Sequence, residues 1–123
     1  MRGTRSSTGA AHPLGGALAD ERREARYGRA WRRALELARR LVEEFGAVRV
    51  IAWGPLVHPE RFNARSHVCL AVWGLRADVF PAVMAGRQDP PAEIVNADHL
   101  DASVLALIAA EGVELARHRD RQA

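Results

Sequence analysis

Two short apolar runs constrain this chain more than anything else in it. Val48, Val50 and Ala52 alternate with Arg49, Ile51 and Trp53, and Arg49 is the only residue there suited to water. Val68, Cys69, Leu70, Ala71, Val72 and Trp73 form the second run. Runs this short, apolar at both alternating sets of positions, are strands of a sheet covered on both faces. Gly54-Pro55 stops the first run. Glycine takes backbone angles closed to other residues, and proline suits the first position of a helix, where no amide hydrogen is needed. His58, Pro59, Asn63 and Ser66 mark an irregular connection, and Gly74 closes the second run.

The flanking segments read as helices and one more strand. From Glu21 to Phe45, residues Trp31, Ala34, Leu35, Ala38, Leu41, Val42 and Phe45 recur at three and four, the spacing of one helix face. Gly46 follows as a stop. Leu75–Ala85 is expected to form a second helix, bent or restarted at Pro81, and Gly86–Pro91 a loop. Glu93–Ala97 reads as a third strand, less apolar than the others and so at an edge. Asp98 or Asp101 can cap the helix that follows, whose apolar positions are Val104, Leu105, Leu107 and Ile108. Gly112 ends it, and Val113-Glu114-Leu115 runs on extended. Residues 1–20 have no hydrophobic period and read as a flexible tail; residues 118–123 read as a loose end.

The length of 123 residues suits one domain with a modest core, placed at 21–117. All 18 basic residues are arginine, yet the net charge is only +3. Eight arginines lie between Arg22 and Arg40, against five glutamates from Glu21 to Glu44. They are read as a solvated helix face with pairs such as Glu36–Arg40. A nucleic-acid role ranks third among the readings, because no exposed aromatics interleave with the arginines. Cys69 is the single cysteine, so no intrachain disulfide forms, and a cytoplasmic setting is expected. No apolar run approaches the ~20 residues of a membrane span. Pro13, Gly15 and Gly16 interrupt anything like a signal peptide.

The stretches FGAVRVIAWG, RSHVCLAVWGL, AEIVNAD and LIAAEGVEL, spread from about Leu35 to Leu115, resemble the minimal nucleotidyltransferases of the DNA polymerase beta superfamily. That resemblance implies an α/β (α+β) fold: a small mixed sheet with flanking helices in the nucleotidyltransferase arrangement. In the family, a Gly-Ser turn holds a nucleoside triphosphate. Two aspartates, two apart on a strand, hold magnesium with a third carboxylate on a later strand. Here the turn is Gly54-Pro55, with Ser66 preceding the second strand. The paired acid positions are His67 and Cys69. The third falls on Val95 or, in another register, on Glu93.

These replacements bear on chemistry. Magnesium prefers octahedral oxygen ligands, whereas imidazole and thiol suit zinc or copper. Pro55 removes a hydroxyl and an amide hydrogen from the phosphate turn. Phosphoryl transfer rests on positioning and charge neutralisation, so no useful turnover is expected and no catalytic residue, metal or cofactor is assigned. Gly54, Pro55 and Ser66 are vestigial nucleotide-binding positions. A soft-metal half-site at His67 and Cys69, completed by His58 or His99, or a reactive thiol, is a lesser reading. The resemblance implies a protein partner: a helical HEPN-type ribonuclease, as in paired toxin–antitoxin modules. Homo-oligomerisation stays open. The alternative is a residual nucleotide binder or AMP-transferring enzyme, with Glu93 or Asp98 supplying a carboxylate.

Overall fold

A computed structural model describes residues 13–76, 78 and 90–119, with side chains from residue 18 onward. Helix α1 spans Pro13–Glu43, and strand β1 Arg49–Trp53. Two 3₁₀ turns, Gly54–Val57 and Pro59–Arg61, lead to β2 at Val68–Trp73. Strand β3 is Ala92–Asn96, α2 is Ala102–Glu111 and β4 is Val113–Arg117. The four strands form one mixed sheet in the order β3-β2-β1-β4. β1 is antiparallel to both β2 and β4, and β2 is parallel to β3. The α/β class and mixed sheet expected from the sequence are what the chain adopts. β3 lies at an edge as expected.

Alternation along β1 and β2 divides the core in two. Val50, Ala52, Val68, Leu70 and Val72 face α1, where Ala30, Ala34, Leu37, Ala38 and Leu41 meet them. Ile51 and Ala71 face the other way, onto Ala97 and Ile108 of the α2 side. Both central strands are therefore covered on both faces, which is why they carry almost no polar residue. The stripe on α1 differs from the expected one at three positions. Ala30 and Leu37 are buried, while Leu35 is 50% exposed. Residues 30, 34, 37 and 41 advance by four, three and four, which holds one line along a 3.6-residue helix; Leu35 lies about 100° away from Ala34.

Two boundaries need correction. Residues 13–20 belong to α1, not to a tail; residues 1–12 lie outside the described residues. Extending an existing helix adds a hydrogen bond for each residue fixed, without a new nucleus. Ala17, Leu18 and Ala19 thus offset Gly15 and Gly16. At the other end, the His118 amide donates to the Val48 carbonyl at 2.7 Å, so His118 is tied to the sheet rather than loose. The helix expected over Leu75–Ala85 lies almost wholly outside the described residues. Of it, Leu75 is buried and Arg76 pairs with Asp78 at 3.2 Å.

Candidate functional site

The register of the three strands decides which candidate residues meet. Trp53 of β1 stands opposite Cys69 of β2, and Cys69 opposite Glu93 of β3. The three form one row across the sheet, at the end where β1 stops and β2 and β3 begin. Two rows inward, on the same face of the sheet, Ile51, Ala71 and Val95 stand in line. Val95 packs into the apolar cluster on the α2 side. Between the two residues proposed for the third acid position, then, Glu93 is the one beside Cys69, and Val95 belongs to the core.

The Gly54 turn sits directly against this row. Gly54 has φ +78°, in the left-handed region that a β-carbon disfavours. A β-carbon there would also lie 3.3 Å from Cys69 Sγ. The turn is held from the far side by Tyr27 of α1, whose hydroxyl donates to the Leu56 carbonyl at 2.6 Å. The Tyr27 ring packs edge-on to Phe62, centroids 5.3 Å apart. The Gly54 turn is therefore a fixed structure, and it offers no hydroxyl, since Pro55 follows.

Cys69 Sγ lies 3.9 Å from Glu93 Oε1, its S–H directed to the carboxylate. Burial pushes the thiol pKa up to about 11, reinforced by the Glu93 charge and by the hydrogen bond to it. A thiol held protonated at neutral pH in this way is a poor nucleophile, which argues against the reactive-thiol reading. His67 is exposed, just ahead of β2.

Other expected participants lie elsewhere. His58 Nε2 is 2.8 Å from Glu111 Oε1, and its Nδ1 is 3.8 Å from Glu60 Oε2. That meeting depends on Gly112. A β-carbon there would run into Ile51 and the Ile108 carbonyl, so only glycine lets the end of α2 come this close to β1. Asp98 accepts from the Gly74 amide at 3.3 Å, at the opposite end of β2 from Cys69. His99 is in the same 3₁₀ turn as Asp98. Neither Asp98 nor His99 completes a site with Cys69. Ser66 also parts from Gly54 and Pro55. It lines a polar hollow of about 90 Å³ with Arg26, Arg29, Asn63 and Pro91. Its Oγ accepts from the Asn63 amide at 2.9 Å. Among the described residues, no three His, Cys, Asp or Glu side chains gather where they could hold a metal ion. One carboxylate beside a neutral thiol does not fit magnesium. Sequence reasoning missed the His58–Glu111 contact, which joins residues 53 apart with no local pattern to announce it.

The chain matches no protein-family model and no curated relative. No helix among the described residues is long and apolar enough to cross a membrane.

Proposed function

We propose that this chain is a catalytically degenerate nucleotidyltransferase-like protein that acts by binding another protein, a HEPN-type ribonuclease toxin in a toxin–antitoxin pair inside the cytoplasm. The observation that carries the reading is the row at the sheet end. Cys69 and Glu93, two of the positions to which the resemblance assigns acids, stand side by side there next to the Gly54 turn, and Glu93 is the only acid in that row. A frame kept without its carboxylates is suited to binding rather than turnover.

Helix α2 supports the partner. Apart from Ser103 and Glu111 every residue in it is apolar, yet only Ile108 is buried. Leu107 is 45% exposed, and Ala102, Ala106, Ala109 and Ala110 are exposed with it. A helix apolar all round is normally covered. Alanines let a second helix approach closely, as a helical partner requires. The test is co-expression with the helical protein encoded beside this chain. Co-elution as a stable complex is expected; a monomer that ignores that protein overturns the reading.

A second reading, a residual nucleotide binder, draws on Gly54 keeping its left-handed turn one residue from the row that holds Glu93. Calorimetry with ATP and magnesium decides it: low-micromolar binding, or transfer of labelled AMP to any protein, displaces the first reading. The double change His67→Asp with Cys69→Asp is expected to restore magnesium binding if the pocket persists.

A further inference from the structure

Helix α1 carries two different kinds of arginine. Near its C-terminus, Arg39 pairs with Glu43 at 3.4 Å and Arg40 with Glu44 at 3.3 Å. The expected Glu36–Arg40 pair does not form; Arg40 turns to Glu44 instead. For Arg22, Arg26 and Arg29 the spacing forbids such pairs, since no acid lies three or four residues from any of them. Residues three or four away from Glu21 and Glu24 include no arginine. Arg22, Arg26 and Arg29 accordingly meet no carboxylate among the described residues. At 100° per residue these three positions fall within about 60° of one another, forming a single stripe. Arg26 and Arg29 open onto the polar hollow that holds Ser66. Arg65, exposed beside it, has no carboxylate partner among the described residues either.

We propose that this stripe binds the phosphodiester backbone of a nucleic acid strand. From Arg22 to Arg29 the helix rises about 10 Å, and a nucleic acid strand carries one charge per roughly 3.4 Å of axis, so three arginines match about three phosphates. The Ser66 hydroxyl and the hollow, with room for about three waters' volume, accept one phosphate between helix and loop. Protein interfaces are centred on apolar and aromatic residues with charge at the rim, whereas this stripe is charge throughout. Without stacking aromatics the site reads backbone rather than base, so binding is sequence-independent and steeply dependent on salt.

The test measures fluorescence anisotropy of the full chain with labelled 20-nucleotide RNA and DNA of mixed sequence, from 50 to 200 mM salt. The wild type is expected to bind both, with a log–log salt slope of roughly −2. The variant Arg22→Gln/Arg26→Gln/Arg29→Gln is expected to lose at least tenfold at the lowest salt and to flatten the slope. Arg39→Gln/Arg40→Gln/Arg76→Gln removes as many charges from paired positions and is expected to stay within threefold of wild type. Should the triple stripe variant fail to fold, Arg29→Gln alone is expected to reduce the slope by about 0.7. Equal weakening by both triple variants, or no binding by the wild type at 50 mM salt, overturns the proposal. Displacement of RNA by charge-matched polyglutamate as readily as by unlabelled RNA also overturns it, in favour of an acidic protein. The isolated chain suffices, so the outcome is independent of any protein partner.

Discussion

The two faces of the sheet are built to different standards. Against α1, fifteen residues form a continuous buried cluster that includes Leu37, Leu41, Leu56, Leu70 and Phe62. Against α2, the buried set is Ile51, Ala71, Ala97 and Ile108, ringed by half-covered Trp53, Trp73, Val95 and Leu105. The first face holds the fold together. The second carries the Cys69–Glu93 row and the exposed apolar helix. A helix needed only as a lid is expected to have a polar outer face, so the difference is consistent with the proposal that one face carries stability and the other contact.

Paired truncations test that division most severely. Leu70→Ala is expected to cost about 3–5 kcal/mol, because Leu70 is fully buried in a shell that cannot close over the void. Ile108→Ala is expected to cost nearer 2 kcal/mol, since its half-open neighbours can settle inward. Urea denaturation gives both values; equal losses would break the comparison.

A smaller effect separates the faces by pH. The folded Cys69 thiol ionises only near pH 11, above its ordinary value of about 9. Its proton-linked stabilisation is therefore complete below pH 9 and is lost as pH rises through 11. The thermal midpoint of the wild type should fall over that window more than that of Cys69→Ala, in scans at stepped pH. Parallel curves would mean that Cys69 is more solvated than its place beside Gly54 implies. The smallest change in stability is expected at the outer face of α2. Leu107→Gln should leave the urea midpoint within about 0.5 kcal/mol of wild type, while weakening co-elution with the proposed helical partner. A loss of stability instead would make α2 part of the core.

Several features were legible in the residues. The two central strands were, because burial on both faces leaves no polar position. So was the edge strand, and so were the caps, since Asp101 accepts from the Val104 amide at 3.0 Å at the start of α2. The start of α1 was not: its Gly-rich beginning lacks periodicity and is helical because the helix is already nucleated downstream. The neighbour of Cys69 on the edge strand was not either. Glu93 and Val95 are equally plausible on an isolated strand, and they differ only in which residue of β2 each one meets.

On its own, the order of residues determined that this chain builds a small sheet under helices and that its second strand is led by His67 and carries a lone cysteine, Cys69. Those are properties of local pattern and side-chain chemistry. Only the tertiary structure decided that Glu93 faces Cys69, that Ser66 joins Arg26 and Arg29 instead of Gly54, and that Leu35 and Leu107 remain exposed. Each of these depends on strand register or helix rotation, which is set by contacts between segments far apart in the chain.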